Sequence, residues 1–327
     1  MTFRSRVVAT LLVEAAALVF LLVVALDVAA HKRVEQLGGL NIRGYRGAVA
    51  LQKKPEEVRI AFIGGSRAFD WGAWAGGTTA AVVRQQLLVG LDHPGNGNLT
   101  VVALDLAQPG VSADTYESAI HRYAYLRPDY LCIYDDLGEK GAPGPLNRSA
   151  LFAATGYLPA LPLVLREKGM AWQFGDVGSG YAASSTGEAA PRSASHRLAG
   201  VVLQTVGTAA AALDRLPERA WPGDSQPSAY ADAIMAAVDE AHGIALGVVV
   251  VVSPAETPRQ AANLDALTKR MRGRLASDRW LRFVDLGEAP ELRDAALRVD
   301  GWNYGGAARL IAASRISPAV LDLMARP

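Results

Sequence analysis

A single cysteine, five histidines and a formal net charge of only +1 are all that 327 residues offer of the commoner functional signals. With Cys132 alone, no intrachain disulfide can form, and its apolar neighbours in Tyr-Leu-Cys-Ile-Tyr predict a buried core thiol and not a reactive one. The near-neutral charge gives no basic surface of the kind nucleic acids require. No internal repeat is evident. What is present is length and apolarity: half of the residues are hydrophobic, enough to bury one large core, alone or with a small appendage.

The longest hydrophobic run is N-terminal. Val7 to Ala30 is about long enough to cross a bilayer core as a helix and reads as a single transmembrane segment. A cleaved signal peptide, cut after Val28-Ala29-Ala30, is the alternative, but the run far exceeds the roughly 7 to 15 apolar residues such peptides carry. Arg4 and Arg6 precede the run while Lys32 and Arg33 follow it, so the positive-inside rule gives no orientation. The short tail, residues 1–6, predicts that the bulk of the chain lies on the periplasmic or extracytoplasmic side. Within the run, Glu14 is costly in hydrocarbon. It reads either as a neutral or headgroup-reaching carboxyl or as a contact with another membrane subunit. Residues 31–58 form a basic, Gly-rich connector suited to anionic headgroups or to solvent. Asn98 and Asn147 stand in short glycan-acceptor patterns that chance often supplies.

From residue 59 to 327 the pattern is that of one α/β domain. Short apolar runs at Ile60–Ile63, Leu99–Ala107, Asp129–Asp135, Ile244–Ser253 and Leu281–Leu286 read as buried parallel strands. Helical segments at 78–91, 113–126 and 257–276 lie between them. The alternation predicts a three-layer fold, a parallel sheet with helices on both faces and ligand sites at the C-terminal strand ends. An insert at about 144–200 holds an apolar stretch, 151–165, and then a small, polar run from Gly175 to Gly200 that reads as an extended loop. The apolar part reads equally as a helix packed on the core or as a patch facing the membrane or a neighbouring subunit.

Six blocks carry a resemblance. Asn-Ile-Arg-Gly-Tyr-Arg-Gly, then Arg-Ile-Ala-Phe-Ile-Gly-Gly-Ser-Arg-Ala-Phe, Leu-Ala-Gln-Pro-Gly-Val-Ser-Ala-Asp-Thr-Tyr, Arg-Pro-Asp-Tyr-Leu-Cys-Ile-Tyr-Asp-Asp-Leu-Gly-Glu, Val-Asp-Leu-Gly-Glu-Ala-Pro-Glu-Leu and Asp-Gly-Trp-Asn-Tyr-Gly-Gly occur in that order between Asn41 and Ser317. Together they resemble the SGNH (GDSL-like) hydrolases, in particular membrane-linked bacterial members. The resemblance implies Ser66 at the nucleophile position and oxyanion-hole positions at Ser66, Gly110 and Gly138. Asp300 falls at the acid of the catalytic pair. The same alignment puts Gly138 where the family carries an oxyanion Asn, and Asn303 where it carries the catalytic His.

These two departures decide the expected chemistry. A serine hydroxyl attacks only when a neighbouring base takes its proton. Asn303 has no basic nitrogen and cannot run that cycle. Without the base, a residual acceleration of roughly 10³ to 10⁴ over water is what comparable serine hydrolases retain; a missing oxyanion donor costs about 10² more. Asp135, Asp136 and Glu139 bring negative charge to the place where donors are needed; a solvated strand-end loop is the plain reading of the trio, and no metal is assigned to it. His31, His93, His121, His196 and His242 all read as boundary, turn, loop, surface or packing residues. Asn303 and Trp302 are expected to fill the vacated space, with Asn303 bonded to Ser66 or Asp300 and with little titration there between about pH 5 and 8. The function expected is a non-catalytic, cofactor-free accessory subunit that anchors in and stabilises a larger membrane assembly, photosynthetic, respiratory, export or envelope-building. A membrane-bound serine esterase or acyltransferase acting on lipid or glycan esters is the alternative.

Overall fold

A computed structural model describes residues 3–36, 39–70, 73–91, 99–108, 111–138, 149–175, 193–213, 226–298 and 303–325. They belong to two compact units.

One unit comprises Tyr45–Asn147 and Glu218–Pro327 with Leu37–Gly39. Its centre is a five-stranded parallel sheet in the order β2-β1-β3-β4-β5, with β1 Glu57–Gly64, β2 Thr100–Asp105, β3 Tyr130–Asp135, β4 Gly247–Val252 and β5 Leu281–Asp285. Every residue of β3 and of β4 is buried, which explains why their sequences are unbroken apolar runs without alternation. Cys132 sits in β3 with no exposure, and burial pushes its thiol pKa up. Two helix sets cover the sheet. The first pairs α2 (Thr79–Gly90) with the C-terminal helix Gly306–Met324, called α9; the second joins α3 (Tyr116–Tyr123), α7 (Pro227–Ile244) and α8 (Pro258–Ser277). Local chemistry fixes their starts: Thr78 accepts from the Ala81 amide at α2, and Thr257 with Gln260 forms a capping box at α8. The predicted strands and helices of this unit match within a few residues, but α7 begins well before any predicted element and Ile244 is its last residue, not the start of β4.

The connector expected at 31–58 does not form a free linker. Tyr45 and Arg46 are 1% and 5% exposed, and the Arg46 amide bonds the Asp105 carbonyl at 2.9 Å.

The other unit comprises Met1–Gln36, Leu40–Gly44 and Arg148–Pro217. Its first helix, α1, runs Phe3–Gln36, past the predicted limits of 7 and 30, because nothing between Phe3 and Gln36 breaks a helix and the first glycine after it is Gly38. One stretch of α1, Thr10–Glu35, is long and apolar enough to cross a membrane. Glu14 is exposed there, among apolar side chains that are exposed as well. α4 (Ala150–Thr155), α5 (Leu161–Phe174) and α6 (Ala194–Leu213) complete the unit. Residues 194–200, expected to be loop, are helical. Gly200 and Gly207 allow α6 to lie against α5: a Cβ on Gly200 would stand 2.7 Å from the Gly169 carbonyl oxygen, and one on Gly207 2.6 Å from that of Pro162.

Asp27 ties α1 to this pair. It is 5% exposed, and its carboxylate accepts from the Ala160 amide at 2.9 Å, the Leu161 amide at 2.6 Å and the Tyr157 hydroxyl. Ala160 is the N-cap of α5 and has no side chain able to cap, so a residue of another helix does that work. His31, one turn on, donates from Nε2 to the Leu158 carbonyl.

Candidate functional site

In a 2-1-3-4-5 sheet the chain leaves in opposite directions from β1 and β3, and the crevice at their C-terminal ends is where ligands bind in such folds. Ser66 stands just past β1, and Asp136 just past β3. Gly64 must be glycine: a Cβ there would lie 2.1 Å from the Tyr134 carbonyl oxygen. The turn that follows is closed by Phe69 N–H to Gly65 O at 3.0 Å and Asp70 N–H to Arg67 O at 3.1 Å. Ser66 in it is 9% exposed.

Directly after Ser66 comes a residue the sequence reading passed over. Arg67 is 1% exposed. Its amide donates to Asp136 Oδ2 at 3.1 Å, its Nε lies 3.4 Å from Asp136 Oδ1, and its Nη2 lies 3.5 Å from Glu256 Oε1. Glu256 is held in turn by a bidentate pair with Arg298, at 2.6 and 3.0 Å. Ser253, after β4, donates to Asp136 Oδ1 at 2.8 Å. The crevice therefore contains an Asp136–Arg67–Glu256–Arg298 chain of alternating charge. Burial pushes the Asp136 pKa up to about 6, with Arg67 opposing the rise. Burial also works against the Arg67 cation, but Asp136, with Tyr304, Tyr134 and Glu256, outweighs it and holds that pKa above its ordinary value.

The block after β3 is a closed structure. Asp135, 2% exposed, accepts from Tyr116 OH at 2.5 Å, Tyr230 OH at 2.7 Å and the Gly138 amide at 2.9 Å. Asp135 and Asp136 are thus internal and partnered, not part of a solvated loop; a charge at the end of an all-apolar strand must find donors. Leu137 and Gly138 have φ of 56° and 76°. An added Cβ at Gly138 would meet Asn263 Nδ2 at 2.9 Å and the Tyr230 ring at 3.1 Å. A side chain at that position would require Asn263 and Tyr230 to shift.

The C-terminal block reaches the same crevice. Arg67 Nη1 lies 3.4 Å from the Tyr304 hydroxyl, with the guanidinium 4.9 Å from the ring centroid. Asn303, beside it, is 8% exposed. The block's flanks are held together by the Arg298–Tyr304 bridge and by Gly305 N–H to Leu297 O at 2.7 Å. Asp300, Trp302, Gly110, Glu139, His93, Asn98 and Asn147 lie outside the described residues. The described histidines have other partners: His31 in α1, His121 on Glu240, His196 on Ser193 and His242 stacked on Trp280. Among the described residues no cluster of His, Cys, Asp and Glu could hold a metal ion.

A second pair of buried acids joins this turn, through Asp70, to the end of β2 at Asp105. Asp70, with φ 53°, accepts from the Thr79 amide and faces Arg46 and Arg309; Asp105 faces Arg46 and Asp70. Burial pushes both carboxyls up to about 7. These carboxyls stand apart from the Ser66–Asp300–Asn303 cluster to which the expectation of little titration between pH 5 and 8 applies, and Asp300 of that cluster lies outside the described residues.

Arg67, Glu256, Arg298, Ser253, Tyr116, Tyr230 and Tyr304 were not singled out in the sequence. One signal existed: an arginine directly after Gly-Gly-Ser, in a turn that closes a buried strand, needs a carboxylate, and Asp135-Asp136 ends the neighbouring one.

Parallel sheet, switch-point crevice and block order together make this an SGNH-hydrolase-like α/β fold. No protein-family model matches the sequence, and no curated protein is similar to it. Solved structures similar to it include a protein assigned to the G-D-S-L lipolytic family from Desulfitobacterium hafniense, at 11% identity over 80% of this chain and 98% of that one, TM-score 0.41. A family two carbohydrate esterase from Clostridium thermocellum is 11% identical over 84% and 67%, TM-score 0.45. An acetyl-xylooligosaccharide esterase from Geobacillus is 13% identical over 81% and 94%, TM-score 0.42.

Proposed function

We propose that this chain is a non-catalytic SGNH-fold subunit, held in a membrane by α1 with its bulk on the extracytoplasmic side, that stabilises a larger membrane assembly. The observation that carries this reading is the content of the crevice: Arg67, buried beside Ser66, is committed to Asp136 and Glu256. An incoming ester carbonyl needs preorganised donors and a base at that place. Instead there is a carboxylate facing a guanidinium, and an asparagine, Asn303, at the position of the base. Surfaces for protein partners, with Glu14 on α1 as one contact, then become the use of the fold.

The test is hydrolysis of short-chain nitrophenyl esters by the full chain in detergent. Turnover equal to that of Ser66→Ala is expected; turnover lost on Ser66→Ala would replace this reading with a membrane-bound esterase or acyltransferase. Copurification from native membranes followed by mass spectrometry names the assembly.

A further inference from the structure

The Asp27 tie sets where α1 stops facing outward. From Thr10 to Leu26 the described side chains of α1 are exposed on every side, Leu12 66%, Leu18 68%, Phe20 66% and Leu22 59% among them. At Asp27 this changes: Asp27, Ala30 and His31 are buried against their own unit. At 1.5 Å per residue the exposed stretch is about 25 Å long, close to the ~30 Å hydrocarbon core. Apart from Thr10 and Glu14, the exposed side chains of this stretch are apolar round the whole helix, which suits lipid more than a single protein-binding stripe. Lys32 and Arg33, exposed just beyond, stand where anionic headgroups would meet them.

The N-terminal end of α5 is fixed at this same level, because Ala160 and Leu161 bond Asp27. α6 is antiparallel to α5: Gly207 packs on Pro162 and Arg166, Gly200 packs on Gly169 and Gln173, and His196 meets Trp172. The C-terminal end of α6 is therefore the end nearest the tie. Gly200 and Gly207 face α5, and at 100° per residue Leu198, Val202, Val206, Ala209 and Leu213 share an arc of about 80° on the opposite side. Leu198 is 69% exposed, Val202 53%, Val206 51% and Leu213 91%.

We infer that this outward face of α6 rests in the headgroup–acyl boundary of the bilayer that α1 crosses, so that α1, α5 and α6 form one lipid-seated unit. The inference depends on α1 being a span. Two features support lipid as the occupant: the continuity with an all-round apolar helix fixed by Asp27, and the basic exit at Lys32 and Arg33. Trp172, 47% exposed at the far end of the pair, has the amphipathic character of an interfacial residue.

The experiment uses the full chain in phosphatidylcholine–phosphatidylglycerol vesicles. Cys132 is buried and does not compete for label, so Val202→Cys, Leu213→Cys, Leu18→Cys in α1 and Leu310→Cys on α9 can each carry an environment-sensitive fluorophore. All four sites are exposed, so folding is not at stake. Lipids spin-labelled near the headgroup should quench the fluorophores at 202 and 213 about twofold or more beyond the one at 310, and lipids spin-labelled deep in the acyl chain should quench the one at 18, which lies midway along the exposed stretch. Quenching at 18 with none above the 310 level at 202 and 213 overturns the inference and leaves α1 as a span. No quenching at 18 overturns both. Self-quenching between labels at 202 on different molecules, without lipid quenching, assigns the face to a second copy and also overturns it.

Discussion

Asp136 and Asp27 are both nearly inaccessible carboxylates at the end of an apolar element, and the protein satisfies them by opposite means. Asp136 faces a cation, Arg67, with a serine hydroxyl and an amide in support. Asp27 has three donors without a full positive charge, two amides of a helix N-terminus and a tyrosine hydroxyl, with His31 3.6 Å away. The first arrangement occupies a crevice and couples two strand ends; the second joins one helix to the start of another. Removing a partner should therefore be most costly at Asp136, where a full countercharge is lost, and milder at Asp27, where donors are lost one at a time.

The largest expected effect is that of Arg67→Met. It leaves Asp136 buried without its cation and should cost about 3 to 5 kcal/mol at pH 8. The cost should shrink at pH 5, where Asp136 takes a proton. Arg67→Met with Asp136→Asn should recover much of the loss. Urea unfolding of the full chain in mild detergent measures all three. A cost below that of an ordinary surface change would mean the ion chain is incidental.

A second large effect is the pH dependence of the unaltered protein. The folded-state pKa values of Asp136, about 6, and of Asp70 and Asp105, about 7, lie above the 3.8 of a free Asp. Between these values the folded state binds more protons than the unfolded one, so stability is greatest below about pH 4 to 5 in this contribution and is lost as pH rises through 6 to 7. Asp136 alone would supply on the order of 3 kcal/mol. The melting temperature should fall between pH 5 and 8, and Asp136→Asn should flatten that slope. A melting temperature that rises over this range would show that these acids are ionised and well satisfied.

Asp27→Ala should cost about 1 to 3 kcal/mol, because two amides and a hydroxyl lose a buried acceptor. The loss should be local, read as faster hydrogen exchange at Ala160 and Leu161 with the β3 and β4 amides unchanged. Equal acceleration in the sheet would mean that the two units do not unfold separately.

The strands and the Gly-Gly-Ser turn were legible because a parallel strand buried on both faces has to be an unbroken apolar run. Ser66, Asp136 and Asn303 were legible as positions in ordered blocks. Arg67 was not, because its meaning depends on Asp136, Glu256 and Tyr304, which lie far from it in sequence. α6 was missed for a related reason. Its buried face is made of glycines, Gly200 and Gly207, and its outward face is apolar, so its pattern inverts that of an ordinary surface helix. The Asp27 cap was invisible too, since it serves a helix more than a hundred residues away.

The smallest expected effect is that of reinstalling the missing groups. Asn303→His with Gly138→Asn restores the family's residue types, yet no Ser66-dependent ester turnover should follow. The backbone at Gly138 is left-handed, a conformation asparagine tolerates better than most residues. Its Cβ would nevertheless press on Asn263 and Tyr230, and Asn263 holds the Leu137 carbonyl at 2.8 Å. A shift there should loosen the block by on the order of 1 kcal/mol without aiming an amide at Ser66. The new imidazole would enter a crevice in which Arg67 is already committed to Asp136 and Glu256. Gain of turnover that disappears with Ser66→Ala would show that the crevice can still open and is disarmed at two residues only; its absence, with folding retained, places the loss in the Arg67 network itself.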